Sequence, residues 1–98
     1  MDDKNYKLIF PSSEGMDFEY YLYSIEMKEC CLDAQILLAD GRIYNIIFVT
    51  INRIKQEMGI NGFYFGRNVM VIDSIILEKM LESIDYAFKL GGYNYFDY

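Results

Sequence analysis

Two apolar runs separated by Asp40-Gly41 form the clearest pattern in the chain, from Leu32 to Thr50. Asp-Gly between apolar runs is the strongest short hairpin cue, because a two-residue type I′ turn needs positive φ at both central positions. With those two residues at the tip, Ala39 pairs with Arg42, Leu38 with Ile43 and Ile36 with Asn45. That register puts Leu32, Ala34, Ile36 and Leu38 on one face with Ile43, Ile47 and Val49. The opposite face carries Asp33, Gln35, Leu37, Tyr44, Ile46 and Phe48. Both faces are partly apolar, which predicts a central hairpin, covered on one side by helices and on the other by aromatics or a second subunit.

The remaining elements follow from period and punctuation. Tyr6 to Phe10 alternates as a short strand, and Pro11 to Gly15 reads as a loop. Phe18 to Met27 is ambiguous. Its tyrosines, Phe18, Leu22 and Ile25 favour a strand by propensity, although Phe18, Tyr21, Leu22 and Ile25 also fit helical spacing; a strand is expected. Thr50 can cap a helix from Ile51 to Met58 that buries Ile51, Ile54 and Met58 and stops at Gly59. Gly59 to Asn68 is an aromatic, Gly-punctuated loop, and Val69 to Ile72 a short buried strand. Asp73 or Ser74 then caps an amphipathic helix from Ile75 to Leu90. Leu77, Met80, Leu81, Ile84, Ala87 and Phe88 form its apolar stripe, and Glu78, Lys79, Glu82, Asp85 and Lys89 its wet side. Gly91-Gly92 ends it. The aromatic tail from Tyr93 to Tyr98 is expected to pack on the domain or on a partner. The order β-β-β-β-α-β-α predicts an α+β fold: an antiparallel sheet of four to five strands with two helices on one face.

Composition narrows the chemistry. The chain has 98 residues, which suits a single domain spanning 1–98. It contains no histidine, so every Ser-His-Asp or Cys-His arrangement is excluded. Adjacent Cys30 and Cys31 cannot bridge without distorting the backbone; one is expected in the core and the other at the surface. Reduced thiols, an acidic polar start and no apolar run near the roughly 18 residues of a membrane span predict a cytoplasmic protein without a membrane partner. Gly59, Gly62 and Gly66 lack a Lys-Ser/Thr partner and follow a helix, so they are no phosphate cradle. Glu78 and Glu82 lack a second ligand set, and no metal or other cofactor is expected. Phe63, Tyr64, Phe65 and Arg67 could stack on single-stranded nucleic acid, but the net charge of −6 opposes direct nucleic-acid binding.

The stretch from Ile36 to Phe96 runs strand, Asp-Gly, strand, short helix, aromatic Gly loop, then a helix ending Gly91-Gly92-Tyr93. It resembles small uncharacterised bacterial α+β proteins, a resemblance that implies fold and assigns no functional residue. In size and acidity the chain is also similar to immunity proteins that neutralise bacterial toxins and to phage-encoded inhibitors.

Charge is uneven. Residues 1–50 carry nine acids and four bases, and Glu14 to Asp33 holds six acids against Lys28 alone. Tyr20, Tyr21 and Tyr23 lie inside that stretch. Tyrosine suits interfaces, and acids around it steer a basic partner. The candidate binding residues are therefore Glu19, Tyr21, Tyr23, Glu26 and Glu29, on a sheet edge that sets Glu19, Tyr21 and Tyr23 to one side. If Lys28-Glu29 were a tight hairpin, Tyr20 would be the exposed tyrosine instead. The expected function is non-enzymatic occlusion of a basic site on a protein partner. The alternatives are a self-associating domain that buries Leu37, Tyr44, Ile46, Phe48 and the tail across a two-fold axis, and a small ligand-binding module built on the Phe63–Phe65 loop.

Overall fold

A computed structural model describes residues 6–64, 66 and 68–91; the expectations for Phe65, Arg67 and the tail from 92 to 98 lie outside the described residues. In chain order the elements are strand β1 (Tyr6–Ile9), a 3-10 turn (Pro11–Ser13), helix α1 (Phe18–Lys28), strands β2 (Cys30–Leu38) and β3 (Ile43–Val49), helix α2 (Ile51–Asn61), strand β4 (Val69–Val71) and helix α3 (Leu77–Lys89). The sheet order is β1-β2-β3-β4. The first three strands are antiparallel, and β4 runs parallel to β3 across the α2 crossover. The α+β class stands, with a mixed sheet rather than a wholly antiparallel one.

The hairpin tip sets the sheet. Gly41 N–H donates to the Leu38 carbonyl at 3.0 Å, and Leu38 N–H donates to that of Arg42 at 2.8 Å. The loop is therefore three residues, Ala39 to Gly41, and Gly41 takes φ 94°, a conformation that favours glycine. Asp40 fixes the tip by accepting from Arg42 N–H at 3.0 Å and from its Nε at 2.8 Å. One residue more than the predicted two-residue tip moves every β3 side chain to the other face. Ile36 now opposes Tyr44, and Ala34 opposes Ile46. Tyr44, Ile46 and Phe48 are buried in the core, and Ile43, expected there, is exposed. A bulge follows: from Cys31 to Ala34, three steps of β2 oppose two of β3, Phe48 to Ile46. It turns Cys31 inward and leaves Leu32, also expected inside, exposed.

The core lies on this face. Tyr6, Ala34, Ile36, Leu38, Tyr44, Ile46 and Phe48 meet Tyr21 and Ile25 of α1 and Met80 and Ile84 of α3. Leu77, Leu81 and Phe88 pack against them half-buried. The predicted stripe of α3 is thus right, but its sheet partners beyond Leu38 are those of the flipped register. Cys30 and Val49 are buried outside this cluster, on the opposite face by strand alternation. Both cysteines are buried, so the division into core and surface thiols does not hold.

Residues 18–28 form a helix, not the expected strand. Asp17 caps it, its side chain accepting from Glu19 N–H at 2.9 Å, and Glu29 ends it in the left-handed region at φ 60°. The helical spacing of Tyr21 and Ile25, which buries both against the sheet, outweighs the strand propensity of the tyrosines. The Thr50 cap of α2 is present, Arg53 N–H donating to its hydroxyl at 3.2 Å. The helix runs past Gly59 and stops at Gly62, φ 83°. Ile51 and Met58 are exposed rather than buried. Helix α3 starts at Leu77 after Ile76, without the side-chain cap expected from Asp73 or Ser74.

Candidate binding face on the first helix

Helix α1 carries four of the five candidate residues and Glu29 ends it, but they divide into three groups. Tyr21 is 5% exposed and belongs to the core. Its ring lies 5.7 Å from Phe10 and 6.4 Å from Phe18. Its hydroxyl sits 3.6 Å from Cys31 Sγ and donates to Asp33 Oδ1 at 3.4 Å. Burial pushes the Tyr21 phenol far above its usual value, reinforced by Cys31 and Asp33. Burial likewise raises the Cys31 thiol, which leaves it protonated at neutral pH and a poor nucleophile. Tyr21 is therefore not part of an exposed face.

Glu29 serves a joint. Its Oε1 accepts from Thr50 Oγ1 at 2.9 Å and from Asn52 Nδ2 at 3.4 Å. Thr50 N–H donates to its carbonyl at 3.1 Å. In return, Arg53 of α2 donates to the Lys28 carbonyl at 2.9 Å. Each helix end thus supplies partners for backbone groups the other would leave unpaired, and the carboxylate sits at the positive end of α2. Glu29, expected on the binding face, thus has a structural role.

Glu19, Tyr23 and Glu26 do come together. They stand at i, i+4 and i+7 on α1, all exposed. With Leu22 they line one side of a shallow groove of about 290 Å³, whose other side is the stretch from Ile75 to Leu77. Neither carboxylate has an ion-pair partner among the described residues.

Beside this trio runs a row the strand reading missed. Met16 is exposed, as are Tyr20 at 61%, Tyr23 at 58% and Met27 at 64%. Tyr20, Tyr23 and Met27 stand at i, i+3 and i+7 and make one seam along α1, and Met16 lies just ahead of the helix, before the Asp17 cap. That spacing is legible in the sequence once the segment is read as a helix. A strand scatters Tyr20 and Tyr23 to opposite sides.

Other clusters have structural explanations. Asp33 accepts from Ser12 N–H at 3.1 Å and from the Ser12 hydroxyl. Arg42, through its backbone N–H first, holds the Asp40 carboxyl below its usual range. Lys79 lies 4.0 Å from Asp73 and 3.4 Å from Glu82, and these acids raise its ammonium above the usual value. All three line a larger groove between α3 and β4, of about 670 Å³, so its charges largely answer one another. No three His, Cys, Asp or Glu side chains gather as a ligand set among the described residues. No described helix is long and apolar enough to cross a membrane. In the aromatic loop Phe63 is exposed, and Tyr64 is half-buried with its phenol raised by that burial. Tyr44, Ile46 and Phe48, expected at a two-fold contact, point into the core. Comparison with known protein families, curated proteins and solved structures finds no match to this chain.

Proposed function

We propose that this chain is a non-enzymatic cytoplasmic binding protein that lays the outer face of α1 over a basic site on a protein partner, in the manner of an immunity protein or a phage inhibitor. One observation carries the reading. The seam of Tyr20, Tyr23 and Met27, with Met16 just ahead of it, is exposed and bordered by Glu19 and Glu26, whose carboxylates have no ion pair among the described residues. Tyrosine and methionine offer contact area that adapts to a partner, and bordering acids speed encounter with a basic surface.

A photo-crosslinking side chain at Tyr23 tests it, with one at Lys55 on α2 as the control. The reading expects a basic protein captured at position 23 and not at 55. With that protein purified, Glu19→Lys combined with Glu26→Lys should slow association and flatten its salt dependence, since rim charges act mainly on the on-rate. Equal capture at both positions, or association indifferent to the charge reversal, contradicts it.

A further inference from the structure

Resting on that reading, we infer that the partner segment is a basic amphipathic α-helix with Lys or Arg at i and i+7 and an apolar residue between them. Glu19 and Glu26 are seven residues apart on α1, so their Cα atoms are separated along the axis by about 10.5 Å at the helical rise. Two basic residues at i and i+7 of a helix lying along α1 repeat that separation. A strand does not: its same-face residues recur at about 6.6 or 13 Å. The apolar positions agree. Tyr20, Tyr23 and Met27 step by three and four along α1, the spacing by which one helix seats side chains between those of another.

The groove supplies the central contact. Leu22 and the stretch from Ile75 to Leu77 form an apolar floor between the two acids, and Tyr23 borders it. An apolar side chain at i+3 or i+4 of the partner reaches that floor. The aliphatic stems of the flanking Lys or Arg cover Tyr20 and Tyr23 while their charged heads meet Glu19 and Glu26. Charge selects the occupant: the acids bordering the seam would repel an acidic helix, and a neutral one would leave them unanswered.

Four synthetic peptides of about 20 residues, long enough to hold a helix when side-chain stapled, test the inference against the full-length protein. The first has arginines at i and i+7 flanking a leucine. The second has the same composition with the arginines at i and i+5. The third is proline-rich and extended, with arginines at i and i+3. The fourth replaces the arginines of the first with glutamates. Binding is read by fluorescence anisotropy at low and high salt, and location by amide chemical shifts.

The first peptide should shift the amides of Glu19, Tyr23, Glu26 and Leu77. It should bind about tenfold more tightly than the second and third, and weaken with salt. The Glu19→Lys, Glu26→Lys variant should lose the first peptide and gain the fourth, an exchange that loss of structure could not produce. If the first three peptides bind α1 alike, or the extended one binds best, the helical partner is overturned while the acidic face stands. If no basic peptide shifts the α1 amides, both fall.

Discussion

Helices α1 and α3 lie on the same face of the sheet and each buries two side chains, Tyr21 and Ile25 in one, Met80 and Ile84 in the other. Their outer sides differ. Apart from Tyr86, α3 shows solvent a row of charges, and Lys79 answers Asp73 and Glu82 there. Helix α1 shows Phe18, Tyr20, Tyr23, Met27 and two glutamates without an ion pair among the described residues, with Met16 exposed just ahead of its cap. Folding accounts for both inner sides. It also accounts for the outer side of α3, since a charged face keeps a helix soluble. It does not account for the outer side of α1, whose large apolar groups stay exposed. Our proposal that α1 is the interaction surface rests on this excess together with the two bordering glutamates.

The comparison breaks first in the core, if the two inner sides are not equivalent. Ile25→Ala and Ile84→Ala should each destabilise by about 2–5 kcal/mol in urea unfolding, the range for truncating a buried isoleucine. A cost below about 1 kcal/mol for Ile25→Ala alone would show that α1 is not anchored as α3 is.

Next is the joint that ties α1 to α2. Glu29→Ala removes the acceptor of the Thr50 hydroxyl, which is buried, and should cost about 1–3 kcal/mol by thermal or chemical melting. Glu19→Ala and Glu26→Ala should change stability by less than about 0.5 kcal/mol, as expected of exposed acids without partners. Equal costs at all three positions would remove the division of the acids into structural and binding groups.

Alkaline pH probes the tyrosines of the inner side. Burial raises the phenols of Tyr21 and of Tyr6, which also donates to Asp85 Oδ1 of α3 at 2.6 Å. A folded-state pKa above the unfolded one favours the neutral form in the native state. The stability is therefore fully present at neutral pH and is lost as pH climbs above the unfolded tyrosine value of about 10. Tyr21→Phe should flatten that alkaline loss. The smallest expected effect is on fold stability at the seam. Tyr20→Ala and Tyr23→Ala should stay within about 0.5 kcal/mol of the parent, yet speed dissociation from the partner.

The same contrast governs how much could be read beforehand. Helix α3 separates apolar from charged residues at helical period, so its stripe was legible, though not its start, because Ile76 lacks the side-chain cap that Asp73 and Ser74 suggested. Helix α1 has apolar residues on both sides, and its tyrosines favour strands, so its period was visible but ambiguous. Reading it as a strand kept Glu19, Tyr23 and Glu26 among the candidates, added the buried Tyr21, left Tyr20 as an alternative, and hid Met16 and Met27. The hairpin shows a sharper limit. Asp40-Gly41 identified the turn, but its sequence also suits a three-residue loop with Gly41 as the left-handed residue, and that one-residue difference exchanged the faces of β3. The role of Glu29 depends on Thr50 and Arg53, more than twenty residues away, which no local pattern reveals.

The six methionines allow the most direct test of the central claim. With methyl-labelled methionine and a saturating amount of the captured partner, the Met16 and Met27 methyl signals should move or broaden. Those of Met58 on α2 and Met70 on β4 should stay in place. Movement of Met58 or Met70 with Met16 and Met27 unchanged would put the interaction surface elsewhere and contradict the assignment to α1.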